Sequence, residues 1–144
     1  MAYKAGLGYY VAGVAKAHAI GDVNTFTVSV GGLVLVTKIW GLVTVAAGGA
    51  VNINVGHDPT LGTATTTVWC VTAACGAAGV GDLITLGSVA GTLTTVLNAE
   101  SALDAQFICA AGSIFVRGSA AQGTSQWFLY YMPLTAGSTI VAIP

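Results

Sequence analysis

Residues 112–142, GSIFVRGSAAQGTSQWFLYYMPLTAGSTIVA, decide how the rest of the chain is read. Three apolar runs, 113–118, 124–134 and 138–143, are separated by turns of Gly, Ser and Ala, and predict three consecutive β-strands. The middle run, Trp127-Phe128-Leu129-Tyr130-Tyr131-Met132, carries large side chains at odd and even positions alike. Successive side chains of a strand point to opposite faces, so this strand is apolar on both. Such a strand needs a cover on each side, from a second layer or from another subunit.

Working outward, the same punctuation recurs. Phe26, Val28 and Val30 alternate with polar residues, and Gly31-Gly32 then leads into Leu33-Val34-Leu35-Val36. Two apolar runs around a Gly-Gly pair predict a two-residue hairpin, because primed turns need positive φ. Residues 39–45 continue in strand character, with Gly41 predicting a bulge or bend. Val51, Ile53 and Val55 alternate again before the turn residues Gly56-His57-Asp58-Pro59. Strands are also expected over 65–73, 82–86, 92–97 and 105–110, with one helical turn at 98–104 capped by Asn98. About ten short strands with regular turn signals predict an all-β fold, a sandwich or barrel, and the expected form is a β-sandwich of jelly-roll-like arrangement. Residues 22–144 form its single domain, and 1–21 form an extended N-terminal arm with one short strand at 9–14.

Composition sharpens this. The 144 residues are 55% hydrophobic and only 6% charged, with 20 glycines and a formal net charge of −1. Ordinary soluble domains are about one-quarter charged, and charge is what keeps protein surfaces apart in solution. So neutral an exterior points to a surface largely covered by neighbours. The four basic residues, Lys4, Lys16, Lys38 and Arg117, are scattered, which leaves nucleic acid no electrostatic footprint. Residues 33–51 approach the length of a membrane-spanning helix, but Lys38, glycines and β-branched residues interrupt them. A lumen-forming barrel would need polar inward faces and two aromatic girdles, neither of which the pattern supplies. The apolar stretch after Lys4, followed by AKA and AHA, imitates a secretory signal and is expected instead to remain part of the folded chain.

Motifs for chemistry are sparse. His57-Asp58 is the only catalytic-looking pair, and it lacks the further His and Asp ligands a metallohydrolase requires; a turn is expected there. Cys70, Cys75 and Cys109 form no CxxC pair, so zinc has no ligand spacing. A Cys70–Cys109 bridge stays open, with buried thiols the expected state. Gly76 to Gly81 lacks the Lys-Ser/Thr of a phosphate loop, and GxSxG is absent. No catalytic residue, cofactor or metal is expected. Trp40, Trp69 and Trp127 could stack on sugars, although aromatic residues in apolar strands more often belong to the core. Tyr3, Tyr9 and Tyr10 of the arm, Phe115, Arg117, Trp127, Tyr130 and Tyr131 are the expected interface residues, with Arg117 forming an intersubunit ion pair.

The C-terminal stretch also resembles tailed-bacteriophage virion structural proteins. The resemblance lies in GSIFVRGS (112–119), an aromatic strand ending in Tyr-x-Pro-Leu (126–134), and a Gly-containing turn with a closing apolar strand (136–142). The turn at Gly56 to Thr60 and the Thr-rich run after it are similar to mid-chain features of such proteins. The resemblance covers about a quarter of the chain and carries no catalytic residues. It implies a role in the particle: a capsid decoration, or cement, protein on the virion surface, a head fibre, or a tail-associated β protein, of which the compact decoration role best fits a chain with no long fibrous or coiled-coil stretch. Its implied partners are further copies of itself, as a homotrimer, and a major capsid protein; no nucleic acid or membrane is implied. A receptor- or glycan-binding module of a fibre is the first rival reading, and a secreted β-sandwich enzyme or toxin domain, disfavoured by the shortage of acids and His, is the second.

Overall fold

The computed structural model describes residues 3–4, 8–60, 66–69, 73–86, 93–96 and 106–144. The protein is all-β: no helix occurs among the described residues. Among the described residues twelve strands follow in order: β1 (Tyr3–Lys4), β2 (Gly8–Ala12), β3 (Lys16–Ala17), β4 (Gly21–Val45), β5 (Asn52–Pro59), β6 (Thr67–Val68), β7 (Ala73–Ala74), β8 (Leu83–Leu86), β9 (Leu93–Val96), β10 (Phe107–Gly118), β11 (Thr124–Pro133) and β12 (Ile140–Ala142). The expected helical turn at 98–104 and Cys70 lie outside the described residues.

The described strands hydrogen-bond into one sheet, with the path β1-β2-β11-β4-β10-β5-β6, rather than into two separable sheets. Residues from strands far apart on that path, including Val11 of β2, Val34 and Val36 of β4, Ile53 and Val55 of β5 and Ile140 of β12, meet in a single apolar cluster. The sheet therefore curls over its own core. Residues 33–51, apolar enough to suggest a spanning helix, lie in β4 and the segment that follows it.

β11 is central because both of its edges are paired. On one side Thr124 to Pro133 run antiparallel to Val45 to Val34 of β4. On the other, Phe128 to Tyr131 pair with Ala12 to Tyr9 of β2, and Thr124 and Ser125 with β3. The N-terminal segment, expected as an extended arm, is thus bound along its own subunit as edge strands over its described residues. Trp127, Leu129 and Tyr131 point inward and are fully buried. Opposite the indole sits Gly41, where a Cβ would lie 2.9 Å from Trp127 Cε2. Gly41 is therefore the seat of the indole and not the bulge its sequence context suggests.

The expected hairpin at Gly31-Gly32 does not form. β4 keeps one direction through these glycines: residues 26–28 pair with β12 and residues 34–45 with β11, both antiparallel. The glycines instead make a kink, with Gly31 at φ 72°. Segment 134–139 bulges opposite it. Ser29 N–H donates to Thr139 O (2.9 Å), and Leu33 N–H donates to Thr135 Oγ1 (2.9 Å) and Ser138 Oγ (3.1 Å). The Thr135 and Ser138 hydroxyls are themselves hydrogen-bonded. These side chains supply what a second strand would have supplied. The kink also turns Val30 out to 93% exposure, although Phe26 and Val28, expected on its face, are buried. A second irregularity lies between the pairs Tyr130–Lys38 and Tyr131–Val36, which leaves Thr37 as an extra residue. Inward positions are even before it (Val34, Val36) and odd after it (Ile39, Gly41, Val43).

β10 and β5 also run longer than expected. Phe107 to Ala110 pair with β4, and Gly112 to Gly118 then pair with Pro59 to Ile53 of β5. Gly112 permits the passage, since a Cβ there would sit 2.2 Å from Asp58 O. This pairing holds Gly56 to Pro59 in strand, not in the turn that the residue types suggest.

Adding one methyl group at Gly41 has nowhere to go except into the indole. Gly41→Ala is expected to destabilise the fold by about 1–3 kcal/mol through overpacking. Gly48→Ala, with open space at its Cβ, should change stability by no more than about 0.5 kcal/mol. Urea unfolding of both variants checks the contrast.

Candidate functional site

The second face of β11 is the most distinctive surface. With Trp127, Leu129 and Tyr131 inward, Gln126, Phe128, Tyr130 and Met132 point the other way. Register places Tyr130 between Tyr10 of β2 and Lys38 of β4, and Phe128 between Ala12 and Trp40. Leu35 continues the face beside Met132, and Ile108 of β10, 67% exposed, lies on the far side of Leu35. The result is a half-buried aromatic and aliphatic surface across β2, β11, β4 and β10.

Four rings form its centre. Trp40 and Phe128 stack with centroids 5.5 Å apart and planes 17° apart, and Trp40 and Tyr130 at 5.7 Å and 28°. Tyr10 leans over both neighbours, 6.3 Å and 11° from Phe128 and 5.3 Å from Tyr130. Rings lying side by side in one plane cannot bring their centroids this close. They pack as offset, partly overlapping pairs, with Tyr10 and Tyr130 tilted by 48°, arrangements that aromatic rings favour. Lys38 Nζ lies 5.9 Å from the Trp40 centroid and is the only charged side chain among the described residues of this face. Burial, followed by repulsion from Tyr130, raises the Tyr10 hydroxyl above its usual pKa.

Only some of the expected interface residues meet here. Tyr10 and Tyr130 lie at the centre. Tyr9, 36% exposed, packs 5.7 Å from Tyr131 at the sheet edge. Tyr3 pairs with Tyr9 in the β1–β2 ladder. Trp127 and Tyr131 are core residues, exposed by 2% and 1%, because the alternation of β11 sends them inward. Phe115 is fully buried over Gly56, where a Cβ would touch its ring at 2.4 Å. Arg117, expected to pair between subunits, instead donates from Nε to Asp22 Oδ1 of its own chain at 2.5 Å and lies over the Phe115 ring. β4 starts beside the end of β10, which brings that acid within reach. Trp40, Phe128 and Lys38 were the missing members of the face. The signal for them was present in the period-two pattern once Trp127 is assigned inward.

The histidines serve the interior. His18, 6% exposed, donates from Nδ1 to Gln122 O (2.8 Å) and accepts at Nε2 from the Ser125 hydroxyl (2.9 Å). Ser125 Oγ in turn accepts the Trp127 indole N–H at 2.8 Å. The Ser-His contact has the form of an activated nucleophile, but Ser125 is 1% exposed and its hydroxyl is fully engaged. His57 donates from Nε2 to Ala110 O (3.0 Å) and stacks on Trp69, while Asp58, on the opposite face of β5, accepts from Thr66 Oγ1 (2.9 Å). No cluster of His, Cys, Asp or Glu that could hold a metal occurs among the described residues. Cys109 is a free buried thiol whose pKa burial pushes up to about 12.

No protein-family model matches the chain, and no curated protein or solved structure matches it either.

His18 and His57 are both held below the ordinary histidine value of 6.5, chiefly by burial, with their carbonyl hydrogen bonds opposing. As pH falls through that value the unfolded chain takes up protons that the folded chain refuses. Stability is therefore full at neutral pH and declines on acidification. Urea midpoints at pH about 7.5 and about 5 should show the decline, and the double variant His18→Gln/His57→Gln should lose most of that pH dependence.

Proposed function

We propose that this chain is a non-enzymatic structural protein of a virus particle, a decoration protein that binds the outside of a phage capsid shell and stabilises it. The observation that carries this reading is the stacked face of Tyr10, Trp40, Phe128 and Tyr130, extended by Leu35, Met132 and Ile108 and bearing one charge, Lys38, among its described residues. Contiguous apolar surface of this kind marks a place where another molecule sits. Aromatic and Met residues with few charges are the composition of a protein interface core. The resemblance of residues 112–142 to phage virion proteins supplies the setting, and the low charge of the whole chain suits a surface covered by neighbours.

The glycan-binding alternative is less well supported at this face. Sugar stacking is made on an open ring flanked by polar side chains, and here each ring packs against its neighbours with Leu35, Met132 and Ile108 beside them. Apolar flanks suit a protein neighbour, such as a second copy of the chain or the capsid protein.

Sedimentation velocity of the purified chain, followed by co-sedimentation with capsids stripped of it, tests the proposal. The wild-type chain should sediment as an oligomer, a trimer being the expected form, and rebind capsids. Tyr130→Asp and Trp40→Asp should keep the β-type circular dichroism and lose rebinding by about thirtyfold or more, as expected for the loss of a hot-spot contact. A wild-type monomer that never rebinds would overturn the proposal.

A further inference from the structure

The aromatic face carries a charge that no acid of its own copy balances among the described residues. Lys38 Nζ lies 5.9 Å from the Trp40 centroid, and the one ion pair among the described residues joins Arg117 to Asp22. Lys16, by contrast, donates to Asn24 O (2.9 Å) and Pro144 O (3.1 Å). A neighbour seated on the face strips water from the Lys38 cation, so it must bring a carboxylate or leave a charge unpaired. The face cannot be its own partner. A two-fold contact of the face with itself sets two Lys38 cations in one apolar interface, and no acid lies on the face among the described residues.

The chain offers such a carboxylate elsewhere. Three acids lie among the described residues, Asp22, Asp58 and Asp82. Asp22 is taken by Arg117, and Asp82 is 7% exposed, its Oδ2 accepting the Gly79 N–H at 2.6 Å. Asp58 is exposed; its Oδ1 accepts from the neutral Thr66 hydroxyl (2.9 Å), with no cation beside it among the described residues. Val68 pairs with Gly56, two residues before Asp58, so Val68 and Asp58 share one face of β5 and β6. Val68 is 42% exposed there. A carboxylate beside an exposed apolar side chain is the complement of Lys38 beside Trp40.

Within one copy these two charges lie far apart. Ser113, the partner of Asp58, is six residues along β10 from Phe107, the partner of Val36. That is about 20 Å of strand. Both charges lie on the outside of a curled sheet, so their surfaces point in different directions and one contact cannot hold both. We infer that copies of this chain assemble head to tail, the aromatic face of one seated on the Asp58–Val68 surface of the next, with Lys38 and Asp58 paired between subunits. This rests on the reading that protein neighbours cover the aromatic face, and adds which neighbour does so. The same contact repeats from copy to copy, and where the rotation closes it gives a ring such as a trimer.

The test is carbodiimide cross-linking of natural-abundance and ¹⁵N-labelled wild-type chain refolded together in equal amounts, with mass spectrometry of the linked peptides. A Lys38–Asp58 link joining peptides of different label is expected. Sedimentation velocity of Lys38→Glu, Asp58→Lys and the double variant follows, each checked for wild-type circular dichroism. Each single reversal should weaken association by about thirtyfold or more, and the double reversal should restore it to within about threefold of wild type. Should a reversal fail to fold, the cross-link decides. No mixed-label link, single reversals without effect, or a double variant as weak as the singles would each overturn the inference. Lys38 linked only to the capsid protein, once capsids are added, would overturn it too and leave the decoration reading standing.

Discussion

The β4–β11 ladder is the constraint on which the other elements depend. It runs from the Thr124–Val45 pair to the Pro133–Val34 pair, and both strands use their two faces for different purposes. Inward, Trp127, Leu129 and Tyr131 pack among Ile39, Val43, Val34 and Val36 to form the middle of the core. Outward, Phe128 and Tyr130 stack on Trp40 and Tyr10. Because side-chain direction has period two, a slip of one residue in this ladder would exchange the surfaces wholesale. Gly41 guards against that slip, since only a residue without a Cβ leaves room for the indole at that point.

Three breaks in regularity, at Gly31, Thr37 and Thr44, let one long strand serve a curled sheet. At Gly31 the backbone turns through positive φ, and hydroxyls of Thr135 and Ser138 take over the Leu33 amide. At Thr37 an extra residue restores the inward phase of Ile39 after Val36. Bulges bend and twist a strand locally, and a sheet needs such bends to close over a single core. The His18–Ser125–Trp127 chain of hydrogen bonds anchors the N-terminal segment to the start of β11, with every ring and hydroxyl group satisfied inside. Buried polar networks of this kind fix one arrangement when complete.

Much of this was legible in the sequence, and the limits were physical ones. The strand character of 113–118 and 124–134 and the two-faced nature of Trp127 to Met132 were plain from spacing. What spacing could not say was which face turns inward, so Trp127 and Tyr131 read as interface residues alongside Tyr130. Gly31-Gly32 has the composition of a hairpin turn, and only the long-range hydroxyls at 135 and 138 make it a kink. Gly56 to Pro59 has the composition of a turn, yet four consecutive pairs with β10 hold it in strand. Arg117 and Asp22 lie 95 residues apart, so no local pattern could join them.

The molecule thus presents a stacked aromatic face over β2, β11 and β4, on the side of the sheet opposite the buried Trp127, Leu129 and Tyr131. The central claim is that protein neighbours cover the aromatic face. Hydroxyl-radical footprinting read by mass spectrometry addresses it most directly, comparing the dilute chain with the concentrated or capsid-bound form. Oxidation of Tyr10, Trp40, Phe128, Tyr130 and Met132 should fall sharply on assembly, with exposed Val30 unchanged. Equal oxidation of these five residues in both states would contradict the account.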